Sequence, residues 1–66
     1  MIVTVNGAAT ELADGSSIAA LIEQLQLSGR RIAVEVNEAI VPKSLHTQTL
    51  LRDGDRVEIV HAIGGG

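Results

Sequence analysis

With 66 residues, 45% of them apolar and none of them Phe, Tyr, Trp or Cys, the chain has material for one small domain with an aliphatic core and no disulfide. Its net charge of −3, with five Lys and Arg scattered among eight acids, excludes a basic stripe for nucleic acid, and no aromatic is present to stack a base. No apolar run approaches the roughly 20 residues that span a bilayer, no basic-then-apolar leader opens the sequence, and zero Cys in so small a domain points to a reducing, cytoplasmic compartment.

The first element is a β-branched run, Met1 to Val5, whose alternation puts Met1, Val3 and Val5 on one face of a strand. Asn6-Gly7 follows, a dipeptide that accepts positive φ at both positions of a tight type I′ hairpin turn. The return strand is expected over Ala8 to Ala13, at a sheet edge, with Leu12 inward. Asp14-Gly15-Ser16 breaks it, and Ser16 or Ser17 is placed to cap a helix. Ile18, Leu21, Ile22 and Leu25 recur at i, i+3, i+4 and i+7, which predicts an amphipathic helix over Ser17–Leu27 with Gly29 as its left-handed stop.

Alternation resumes at Ile32-Ala33-Val34-Glu35-Val36, predicting a third strand with Ile32, Val34 and Val36 inward. Asn37-Glu38-Ala39 reads as a turn. Pro42 favours an extended Val41 and can open a single helical turn through His46. Thr47 to Leu51 has the composition of a short strand. Asp53-Gly54-Asp55 is a turn, and Arg56 to Ile63 is the last strand, with Val57 and Ile59 inward. Strands with one helix make a small α+β domain with the helix packed across one face of a mixed sheet.

Side-chain catalysis finds little support. His46, in a polar stretch, reads as an exposed loop histidine, and His61 as a solvent-side strand residue. Asp53 and Asp55 bracket a turn glycine and are explained by turn chemistry, so no metal site is expected. None of Gly15, Gly29 and Gly54 belongs to a phosphate-binding loop. The feature with a chemical consequence is Gly64-Gly65-Gly66, directly after the last strand. A terminus of glycines is ordinarily a frayed end. It is also a thread without side chains that can enter a narrow tunnel, where its carboxylate can reach the α-phosphate of ATP. A carboxylate is a poor electrophile until AMP is attached as a leaving group, and glycine permits the close backbone approach that this needs.

The whole chain resembles the sulfur carrier proteins of thiamine biosynthesis, the ubiquitin-like ThiS family. The resemblance rests on Asn6-Gly7, on the helical block Ile18 to Ile22, on Val36-Asn37-Glu38-Ala39-Ile40-Val41-Pro42, and above all on Asp53-Gly54-Asp55-Arg56 running through Val60-His61-Ala62-Ile63 to the three glycines. One departure is the lack of an aromatic near His46, where the family often carries one. The resemblance implies a β-grasp domain over residues 1–63, with the first and last strands as parallel central neighbours, and a flexible glycine tail over 64–66. It implies that the protein is a carrier and co-substrate of partner enzymes, with no catalytic residues of its own. An adenylating, E1-like enzyme would convert the Gly66 carboxylate to an acyl adenylate, consuming ATP, with no cofactor bound to the carrier. A sulfur-relay protein would then supply sulfur for a Gly66 thiocarboxylate, and thiazole synthase would take it for the thiazole ring.

Gly64 and Gly65 would be the thread. Val60, Ala62 and Ile63 would form the partner contact, because strand alternation turns Val60 and Ala62 away from the helix. The competing readings are the small subunit of molybdopterin synthase, a sulfur carrier for another pathway, and a non-catalytic β-grasp interaction module whose tail is inert.

Overall fold

The computed structural model describes residues 1–62. Five strands form one mixed sheet: β1 (Ile2–Val5), β2 (Ala8–Glu11), β3 (Ile32–Val36), β4 (Ala39–Val41) and β5 (Arg56–His61), in the order β2-β1-β5-β3-β4. One helix, α1 (Ile18–Gln24), packs on one face, and a short 3₁₀ turn covers Lys43–Leu45. β1 and β5 run parallel side by side, as a β-grasp requires; the remaining pairs are antiparallel.

The alternation read in the sequence sets the core. Val3 and Val5 from β1, Val34 from β3, and Val57 and Ile59 from β5 are buried against Ile18, Leu21 and Ile22 of the helix, with Leu12 and Leu51 closing the sides. Ile18, Leu21, Val3 and Val34 are wholly inaccessible. Burying side chains of this size contributes about 1.5–3 kcal/mol each, and with a helix of 7 residues too short to persist alone, helix and sheet stabilise one another.

The helix start follows the capping logic. The Ser17 hydroxyl accepts from the Ala20 N–H at 3.1 Å. The N–H groups of Ile18 and Ala19 donate to the carbonyls of Thr49 and His46, both at 3.0 Å. These bonds explain a departure from the sequence reading. Thr47 to Leu51 is not a strand, because the Thr49 carbonyl serves the helix N-terminus and only one bridge, Ser17 to Leu50, is strand-like. The same bonds correct His46, which is buried at 7% exposure instead of lying in an open loop. Its Nε2 lies 3.0 Å from the Val41 carbonyl, which fixes the ring beneath the turn.

The helix is shorter than the predicted Ser17–Leu27, ending at Gln24 with Leu25 as its C-cap. Gln26, not Gly29, takes the left-handed conformation at the helix end, with φ of 60°. The Leu27 N–H bonds the Ile22 carbonyl at 2.9 Å and the Gln26 N–H bonds Glu23 at 3.0 Å, a Schellman ending. The ending lets Leu27 fold back onto the core edge, which a further helical turn would prevent. β4 is the other element not read from the sequence. Asn37 and Glu38 both have positive φ, 51° and 72°, so the turn is a two-residue hairpin and the chain pairs again from Ala39.

Candidate functional site

The residues singled out at the C-terminal end divide in two. Val60 and Ala62 are within the described part of the chain; Ile63, Gly64, Gly65 and Gly66 lie outside it, as does the division drawn between 63 and 64. The site is therefore built from β5, the strand that leads toward those residues.

β5 is held unusually thoroughly for so short an element. At its entry, the Arg56 N–H donates to the Asn37 side-chain oxygen at 2.9 Å, and the Asn37 N–H donates to the Arg56 carbonyl at 2.7 Å. The Asn37 amide nitrogen also donates to the Asp55 carboxylate at 3.0 Å. Further along, β1 ends at Val5, and β5 would lose its neighbour on that side. Asn6 replaces it. The Ile59 N–H donates to Asn6 Oδ1 at 2.8 Å, Asn6 Nδ2 donates to the Ile59 carbonyl at 3.0 Å, and the Asn6 N–H donates to the Val57 carbonyl at 2.9 Å. One side-chain amide thus imitates the next residue of a strand. Asn6 and Asn37 each sit at positive φ in a hairpin turn, so each turn residue also clamps the central strand.

The register of the parallel pair comes from the Asp53-Gly54-Asp55 turn. Asp53 accepts from the Ile2 N–H at 2.7 Å, Gly54 donates to the Ile2 carbonyl at 2.8 Å, and the Thr4 N–H donates to the Asp55 carbonyl at 3.0 Å. On its other side β5 pairs with β3 as far as His61 opposite Ile32, and the Ala62 N–H donates to the Arg31 carbonyl at 2.9 Å. The strand is fixed up to Ala62.

Its two faces differ. Val57 and Ile59 enter the core, as expected, while Arg56, Glu58 and Val60 face away from the helix. Val60 is 56% exposed and sits opposite Ala33. Ala62 is exposed, and so is His61, although His61 shares the face of Ile59; the helix does not extend over it. The same open face carries Ile40, 74% exposed, opposite Glu35 on the neighbouring strand. Ile40 was missed in the sequence because the turn was read over Asn37-Glu38-Ala39 and no strand was assigned after it; a hairpin through Asn37-Glu38 puts Ile40 on this face.

On the helix side, a cavity of about 230 Å³ lies among Ala19, Ile22, Leu27, Arg30, Ile32 and His46. It is on the opposite face of the sheet from Val60. Among the described residues, no group of three or more His, Cys, Asp or Glu is placed to hold a metal ion, and no helix is long and apolar enough to cross a membrane.

Comparison with known proteins gives a consistent result. The ThiS family matches residues 3–66. The chain is 33% identical over 61 residues to the sulfur carrier protein ThiS of Escherichia coli, covering 92% of each protein. It is also 41% identical over 66 residues to a thiazole synthase of Paramagnetospirillum magneticum, all of this chain matching but only 20% of that protein. The chain thus spans about one-fifth of the length of that relative. Among solved structures, a thiamine biosynthesis protein (ThiS) from Geobacter metallireducens superposes with a TM-score of 0.87 at 29% identity, each chain fully covered.

Proposed function

The chain belongs to the ThiS family, the sulfur carriers of thiamine biosynthesis, and from that premise we propose that Gly66 is the atom-bearing end of the carrier, activated as an acyl adenylate and then converted to a thiocarboxylate. A carboxylate oxygen of Gly66 attacks the α-phosphorus of ATP, and pyrophosphate leaves. The sulfane sulfur of a relay protein's persulfide then attacks the acyl carbon, and AMP leaves. A thiolate then attacks the relay protein's sulfur in the resulting acyl disulfide; a new disulfide forms there, the S–S bond to the acyl sulfur breaks, and the Gly66 thiocarboxylate leaves. A thiazole synthase takes that sulfur. The activating steps belong to an adenylating partner in the cytoplasm; the carrier supplies a substrate and the surface by which it is recognised.

The observation that carries this reading is the anchoring of β5. Its hydrogen bonds run to Ala62, four residues before Gly66. Four extended residues span at most about 13–14 Å, so a partner that activates Gly66 must dock within that reach of Ala62. Val60, Ala62 and Ile63 form the nearest part of that contact. Glycine at positions 64 to 66 keeps the thread narrow and leaves the terminal carbonyl open to attack.

The test is the intact mass of the 66-residue chain after incubation with ATP and a candidate adenylating enzyme, then with a sulfur source. The expected result is an AMP adduct, followed by exchange of one oxygen for sulfur localised to Gly66. A Gly66→Val variant should fold normally and gain neither. An unchanged mass with an enzyme active on another carrier would overturn the reading for that enzyme and favour an inert tail.

A further inference from the structure

We propose that the open sheet face is a receptor for a cationic side chain of the adenylating partner, held between Glu35 and Glu58 with Ile40 and Val60 as its aliphatic walls. The identity of the partner rests on the carrier reading above; the chemistry of the surface does not.

Glu35 on β3 and Glu58 on β5 are register partners, and alternation puts both on the face away from the helix. Like charges directly opposite one another destabilise a sheet. The strands place one cation on this face, Arg56, and its guanidinium is 3.2 Å from Glu38 at the hairpin turn. Arg31, just outside β3, lies opposite Ala62, two rows from the acids. At about 3.3 Å per residue the backbone separation is roughly 13 Å. Among the described residues, neither Glu35 nor Glu58 is in an ion pair.

The apolar groups stand where a cation's flanks would need them. Ile40 is the next residue across the sheet from Glu35, and Val60 is the next open-face residue along β5 from Glu58, with Ala33 beside it. Both large side chains are mostly exposed. The acid pair thus has aliphatic neighbours on two sides, on the strand that leads to the tail. Arg fits this arrangement best, because a guanidinium can bridge two carboxylates and lays a weakly hydrated plane on apolar surface. A locally unfavourable pair of charges is retained where it serves recognition, and here it gives the partner both attraction and register.

Two measurements decide it. In the first, ¹⁵N-labelled chain is titrated with acetyl-Leu-Arg-Leu-amide and with the citrulline analogue, which has the same shape without the charge. The amides of Ala33, Glu35, Ile40, Glu58 and Val60 should shift with the arginine peptide alone, and the double variant Glu35→Gln/Glu58→Gln should lose the response. No shift at this cluster, equal shifts with both peptides, or shifts centred on Asp53 and Asp55 would overturn the proposal.

In the second, the rate of AMP transfer to the double variant is compared with wild type at low and high salt. A fall of tenfold or more in kcat/KM is expected, through KM, with a weakened salt dependence and an unfolding midpoint no lower than wild type. Equal kcat/KM for the two proteins would overturn the proposal while leaving the carrier reading intact. If wild type receives no AMP, the carrier reading falls, and the peptide titration still decides the surface.

Discussion

Replacing Asn6 with glycine tests whether a turn side chain holds the central strand. Asn6 has φ of 50° and makes two side-chain hydrogen bonds to Ile59, at 2.8 and 3.0 Å. Glycine keeps the left-handed backbone without strain, so it removes the two bonds and little else of the folded structure. Each bond is worth about 0.5–1.5 kcal/mol net, and the added freedom of glycine in the unfolded chain costs about 0.4–1 kcal/mol more. The expected loss is therefore about 1.5–4 kcal/mol. Total stability for a domain of this length is of order 3–10 kcal/mol, so the upper end of that loss approaches the whole. Alanine loses the same bonds and must also hold positive φ, which adds about 1–2 kcal/mol.

Urea unfolding followed by far-UV circular dichroism gives both free energies, and Asn6→Asp adds a third point. Aspartate tolerates the backbone and can still accept from the Ile59 N–H, but it cannot donate to the Ile59 carbonyl, so it should fall between wild type and glycine. Amide hydrogen exchange supplies the local check: Ile59 should lose protection in Asn6→Gly by more than the global stability loss explains. If Asn6→Gly unfolds within about 0.5 kcal/mol of wild type, the clamp contributes nothing and the account of β5 is wrong.

Two other substitutions test separate parts of the argument. Gln26→Gly should stabilise the domain by roughly 0.5–1 kcal/mol, because glutamine now occupies the left-handed position that ends the helix; a lower thermal midpoint would show that the Gln26 side chain matters more than its backbone. Val60→Glu adds a further acid to the open face without touching the core, so its unfolding midpoint should stay close to wild type while AMP transfer slows, and an unchanged transfer rate would remove Val60 from the contact.

What was legible in the sequence was whatever is decided within a few residues. Period two in β1, β3 and β5 and period 3.6 in the helix named the core, and Asn6-Gly7 named its own turn. What escaped was decided at long range. Asn37-Glu38 forms the same kind of turn without glycine, and the positive φ of Glu38 is stabilised by partners far away in sequence: Asn37 bonds Asp55 and Arg56, and the Glu38 carboxylate meets Arg56. Thr47 to Leu51 has strand composition, yet its backbone completes the helix N-terminus. His46 looked polar and local, but its ring bonds Val41 and its carbonyl bonds Ala19. For the site, alternation alone turned Val60 and Ala62 outward. The pairing of Glu35 with Glu58 requires the strand register, which no local pattern contains.

With the proposed docking on its open side, the two faces of β5 separate folding from recognition in a very small domain. Val57 and Ile59 are its contribution to the core, and their neighbours Val34, Leu21 and Ile18 leave no accessible surface there to spare. The intervening positions, Glu58 and Val60, face away from the helix, and the proposed docking surface is built on that side. Because the period of a strand is two, a slip of one residue would exchange these sets and expose the core while burying Glu58. On the proposed docking, the register of β5 is under a double demand, from packing on one face and from the partner on the other. This gives a physical reason for holding the strand with two asparagine side chains in addition to its ladder bonds. A shift of β5 by even one position would also move Ala62, and with it the reach toward Gly66, by about 3.3 Å, a large error for a thread that can extend only about 13–14 Å.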